Sequence, residues 1–81
     1  MINYYEKFEL INTPQEIISD CNSLTIVNTG SVTALVNGLE IGVGDQYYAP
    51  GNESEFNTTR YRLSFNAVGT QQVLVIRKIY K

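Results

Sequence analysis

Few side chains in this sequence could do chemistry, and the acids come first. Glu53 and Glu55 share one face of any extended segment, and Asp45 lies a short way upstream. Paired carboxylates in unequal surroundings can act as general acid and as base or nucleophile in a hydrolysis. Asn52, Ser54 and Asn57 surround them, however, and that composition is equally the mark of a solvated loop. The chain has no histidine, which removes the commonest general base, the Ser-His and Cys-His nucleophile systems and most metal triads. Cys21 is the only thiol; it has no base near it in sequence and no partner for an internal disulfide, so a small buried side chain is expected. The six glycines sit at turn-like positions, and none builds a phosphate-binding loop ahead of a helix. The reading is a protein that is not an enzyme, with no catalytic residue, metal or cofactor.

Groups suited to recognition are more plentiful. Tyr4, Tyr5, Tyr47, Tyr48, Tyr61 and Tyr80 suit half-buried sheet positions, and they also suit interfaces and sugar-stacking surfaces. At least one ring of each adjacent pair must face away from a core, which singles out Tyr5, Tyr47 and Tyr48. All eight acids and a single base precede residue 60, whereas residues 60–81 hold five bases and no acid. Arg60, Arg62, Arg77 and Lys78 could share a face. They are read either as the wet side of a terminal hairpin packed beside an acidic one, or as one half of a charged subunit or partner interface. Nucleic acid is not the expected partner, because the sequence pI is near 4.9. The candidate interface residues are therefore Tyr5, Tyr47, Tyr48, Arg60, Arg62, Arg77 and Lys78. Tyr47 and Tyr48 with the Asn52–Ser54 loop form the alternative, a small glycan-binding surface.

The elements that position these residues follow from turns and alternation. V-T-A-L-V-N-G-L-E-I-G-V, residues 32–43, folds on itself at Asn37-Gly38, the pair a type I′ hairpin favours. Val36 then faces Leu39, Ala34 faces Ile41 and Val32 faces Val43, while Leu35 faces Glu40 and Thr33 faces Gly42. Residues 2–11 alternate as a strand, with Ile2, Tyr4, Phe8 and Leu10 on one side and Asn3, Tyr5, Lys7 and Glu9 on the other. Thr13-Pro14-Gln15-Glu16 reads as a helix start, giving a short helical turn near 14–20. Residues 24–28 form a strand that continues into the hairpin, making three consecutive antiparallel strands. Gly42 to Asp45 is a bulge or a corner between sheets, 46–49 a short strand and 50–54 a loop. Tyr61, Leu63 and Phe65 point one way from a strand opposite Arg60, Arg62 and Ser64, and a turn at 67–70 leads to the last strand. This strand is apolar on both faces from Val73 to Ile76, so it is central or covered. The Ala34, Val36 and Ile41 face and the Tyr61, Leu63 and Phe65 face are expected to form opposite walls of one core.

About seven short strands with turns every few residues give one all-β domain over residues 1–81, a small antiparallel sandwich or barrel. A chain of this size buries only about 60 to 65% of the surface it exposes unfolded, so help from an oligomer is expected. The N-terminal run has acids where a secretory leader has a basic start, and no stretch approaches the roughly 18 apolar residues of a membrane span. A cytoplasmic protein without a membrane partner is the default expectation.

Two resemblances follow from quoted residues. Gly44-Asp45-Gln46-Tyr47-Tyr48-Ala49-Pro50-Gly51 looks like the Gly-x5-Pro run of the second cupin motif. Gly directly follows Pro, and the family's metal-binding histidine has no counterpart, so only a jelly-roll-like arrangement is implied. I-V-N-T-G-S-V-T-A-L-V-N-G-L-E-I, then G-D, then P-G-N, closing on L-V-I-R-K-I-Y, resembles the small β accessory proteins of tailed bacteriophage virions over residues 24–81. That resemblance implies a structural part of a head, fibre or tail, located in the virion. It also implies a homo-oligomer, a trimer being favoured, docked on other virion proteins, with no catalytic residues.

Overall fold

A computed structural model describes residues 3–80. These form eight strands and no helix: β1 (Tyr4–Ile11), β2 (Gln15–Ile18), β3 (Ser23–Asn28), β4 (Ala34–Val36), β5 (Leu39–Ile41), β6 (Gln46–Ala49), β7 (Arg60–Phe65) and β8 (Val73–Tyr80). They make two four-stranded sheets, the first in the order β1-β8-β3-β6 and the second in the order β2-β7-β4-β5. Every pairing is antiparallel. Only β4 and β5 are consecutive strands within one sheet, and every other connection crosses to the opposite sheet. That connectivity is the jelly-roll form of a sandwich.

The hairpin at Asn37-Gly38 forms as its turn chemistry predicts. Asn37 (φ 51°) and Gly38 (φ 85°) both take the positive values of a type I′ turn. Val36 pairs with Leu39, Leu35 with Glu40 and Ala34 with Ile41. The ladder stops there, short of the expected Thr33–Gly42 and Val32–Val43 pairs. Asp45 N–H donates to the Gly42 carbonyl (2.9 Å) and Gly44 takes φ 83°, turning the chain at the predicted corner and into the first sheet. Strand β8 is central between β1 and β3, as its doubly apolar sequence requires.

Three expectations need correction. Residues 15–18 form a strand on β7, not a helical turn, with Ile17 buried opposite Tyr61. So short a helix gains too few hydrogen bonds to offset its nucleation, whereas β7 satisfies the same backbone at once. Strands β3, β4 and β5 are not three neighbours in one sheet, and β7 and β8 are not a hairpin, because the intervening turns carry the chain between sheets. Finally, β4 and β7 are adjacent, Ala34 opposite Phe65 and Val36 opposite Leu63, so the two faces thought to be opposite walls form one wall. The other wall is Leu24 and Ile26 of β3 with Val73 and Val75 of β8. Each fully buried aliphatic side chain contributes about 1.5 to 3 kcal/mol.

Strand β1 turns its alternation outward. Ile11 is buried opposite Val73, so Tyr5, Lys7 and Glu9 share its inward side and Tyr4, Phe8 and Leu10 lie on the outside. Its eight residues and those of β8 outrun the shorter second sheet, and the molecule is drawn out to 45 × 18 × 16 Å. Ile2 and Lys81 lie outside the described residues.

Candidate functional site

The ladder registers place two rows of side chains across the outer face of the first sheet. One row is Phe8, Ile76, Thr25 and Tyr48, and the next is Leu10, Leu74, Val27 and Gln46. Phe8 is 62% exposed, Leu10 64% and Tyr48 56%, while the strands between them are half-buried. Seen from outside, Phe8, Leu10, Ile76, Leu74, Val27 and Tyr48 make a largely apolar surface, interrupted by Thr25 and Gln46 toward β6 and edged by polar groups. Along that border Lys78 Nζ stands 4.1 Å from the centre of the Tyr4 ring and 5.3 Å from that of Tyr80. A hydrogen bond to Tyr80 holds the Lys78 ammonium pKa above its usual value. The outer face of the second sheet is different: Glu16, Arg60, Arg62 and Glu40 are all exposed on it, and Arg60 Nη1 pairs with Glu16 Oε1 at 3.2 Å.

The seven candidate interface residues do not converge. Tyr48 belongs to the apolar outer face and Lys78 to its border. Tyr47 points into the sandwich, edge-on to Tyr61 with ring centres 5.6 Å apart. Burial, with the Tyr47 hydroxyl beside it, pushes the Tyr61 phenol up to about 12. Tyr5 lies on the inward side of β1, opposite Ile79. Arg60 and Arg62 face outward from the second sheet. Arg77 straps the sheets together, donating through Nε to the Ser19 carbonyl (2.9 Å), through Nη2 to that of Ile18 (3.0 Å) and through Nη1 to Glu9 (2.8 Å). The expected single basic face is thus spread over separate surfaces. The acids are separated too: Asp45 precedes β6 and Glu55 follows it, with Glu55 Oε1 accepting the Asn52 N–H at 3.2 Å. No group of three acids or cysteines among the described residues is arranged to hold a metal ion.

Sequence reasoning missed the polar residues that hold this surface in place. Asn28 is 1% exposed. Its Nδ2 donates to the carbonyls of Val32 and Ile41, both at 2.8 Å, and its Oδ1 accepts from Gly30 N–H at 3.0 Å. At the other end of β3, Asn22 Nδ2 donates to the carbonyls of Asn52 and Glu55, each at 3.0 Å, and its Oδ1 accepts from Tyr80 N–H at 2.9 Å. Ser19 Oγ donates to the Asn57 carbonyl at 2.8 Å. These bonds satisfy carbonyls in loops and at strand ends. The one readable signal was an asparagine two residues before a glycine at Asn28, the spacing of an Asx turn. Gly51 completes the Asn22 clamp, since a Cβ there would stand 1.9 Å from the Asn22 carbonyl oxygen. Cys21 is buried as expected, and burial pushes its thiol up despite the nearby Arg77 charge.

Fold and surface together define a class: an eight-stranded jelly-roll sandwich whose first sheet carries apolar side chains on its outer face as well as in the core. Compared with protein-family models, curated proteins and solved structures, the chain matches none.

Proposed function

We propose that this is a non-enzymatic assembly protein, which self-associates and docks by the outer face of its first sheet on an apolar surface of a larger structure. The observation that carries the reading is the pair of rows from Phe8 to Tyr48 and from Leu10 to Gln46. Apolar patches of a few hundred Å² or more on small domains mark contacts with other proteins. The resemblance to phage accessory proteins supplies the larger structure: a bacteriophage head, fibre or tail. The test has two arms, light scattering of the chain across a wide concentration range and protein identification in purified particles of the phage that encodes it. A mass above 9.1 kDa and a fixed number of copies per particle are expected, and Leu74→Lys with Tyr48→Lys should remove the chain from the particle. A monomer at every concentration, absent from particles, overturns the proposal.

A second reading, glycan binding, is supported by a polar cleft of about 460 Å³ lined by Asn22, Pro50, Glu55, Phe56, Asn57, Thr58 and Thr59. Phe56 is exposed there and offers a stacking ring. The cleft, rather than Tyr47 and Tyr48, which face opposite sides of their strand, is the place to look. Titration on a glycan array tests it, and no binding retires it.

A further inference from the structure

We infer that two copies of the chain join edge to edge through β1, antiparallel about a two-fold axis centred on Phe8, making one continuous eight-stranded sheet. This rests on the reading of the protein as a self-associating part and names the surface and the register. Strand β1 is the edge of the first sheet, and at eight residues it is twice as long as any other edge strand, β6 and β2 having four and β5 three. Short edges are protected from pairing by their length, and a long one is not.

Charge fixes the register. A two-fold axis normal to the sheet keeps outer faces together, so residues directly opposite must share a face. Centring on Glu6, Lys7 or Glu9 sets a like charge against its own copy. Centring on Tyr5 or Leu10 overlaps only three of the eight strand residues and leaves Lys7 without an acid. Centring on Phe8 engages all of the strand but Tyr4: Lys7 faces the partner's Glu9, and Glu9 faces the partner's Lys7. On the other face Phe8 meets its own copy, and Glu6 meets the partner's Leu10.

Within one copy, Lys7 stands directly across the ladder from Arg77 and makes no ion pair among the described residues. Glu9 is already held by Arg77 at 2.8 Å, which fixes its carboxylate on the inward side. The partner's Glu9 would bring to Lys7 the acid it lacks beside Arg77. The same charges that reject an unrelated strand therefore select this one. Pairing also sets two outer faces side by side, doubling the apolar surface available for docking.

Single cysteines test the register. Phe8→Cys places two thiols directly opposite each other at the axis, within disulfide reach. Glu6→Cys and Leu10→Cys, each alone, leave the thiols about 13 Å apart. Cys21 is fully buried and does not compete. Under mild oxidation, Phe8→Cys is expected to form a covalent dimer and the two other variants to do so only when mixed. Lys7→Glu should raise the dimer dissociation constant about tenfold by replacing two attractions with two repulsions. An oligomer in which Leu10→Cys links as fast as Phe8→Cys, or a trimeric mass, overturns this pairing and leaves the assembly reading standing. A monomer at every concentration overturns both.

Discussion

Asn28 and Phe8 lie in the same sheet and are inverted with respect to polarity: the amide is 1% exposed and the phenyl ring 62%. The difference teaches what each position is for. Asn28 sits where β3 ends and the chain must pass to the second sheet, so the Val32 carbonyl of the loop and the Ile41 carbonyl at the end of β5 converge there. A side chain with two donors and an acceptor joins them, and an apolar one would leave each buried and unpaired. Phe8 sits where the core has no further need of apolar area, because Val73, Val75, Leu24 and Ile26 already fill the inner side. Its ring contributes nothing to the interior and is free to meet another molecule.

The strongest way to break this comparison is Asn28→Ala. Losing three hydrogen bonds and stranding the Val32 and Ile41 carbonyls should cost about 3 to 4 kcal/mol, read from urea unfolding. A cost under about 1 kcal/mol would mean that the clamp is incidental to the fold. Tyr61 sharpens the same contrast with a buried hydroxyl. Its pKa is raised in the fold, to about 12 from 10.0, so its contribution is fully present below pH 10.0 and is lost as pH rises toward 12. The loss amounts to about 2 to 3 kcal/mol. Thermal melts should show wild type losing stability over that window, with Tyr61→Phe losing less. The smallest effect is expected at Phe8→Ser, within about 0.5 kcal/mol of wild type for the monomer. If the monomer is destabilised by several times that, Phe8 belongs to the fold after all and the outer face is not reserved for a partner.

Legibility in the sequence followed the range of the forces involved. Asn37-Gly38 and the doubly apolar β8 were readable, because two positive φ angles and burial on both faces leave local marks. The short segment at 15–18 was misread, since Thr13-Pro14 is a local helix signal while β7, the partner that wins, is far away in sequence. Apart from the corner at Gly42–Asp45, sheet membership was not readable: hairpin turns and crossover turns use the same Gly, Asn and Ser residues. For the candidate surface, the sequence marks Tyr48 and Lys78 as interface residues and Leu74 and Ile76 as part of a strand apolar on both faces, but it gives Phe8 and Leu10 only as one side of a strand. Alternation tells that β1 has two faces, and it takes Ile11 seated in the core to tell which one is outside.

Tyr4 stands directly across the β1–β8 ladder from Tyr80, so the polypeptide reaches this domain and leaves it at one corner. Such a geometry makes the sandwich a pendant. Spliced into an exposed loop of a host protein, it would hang from two adjacent strands without stretching that loop.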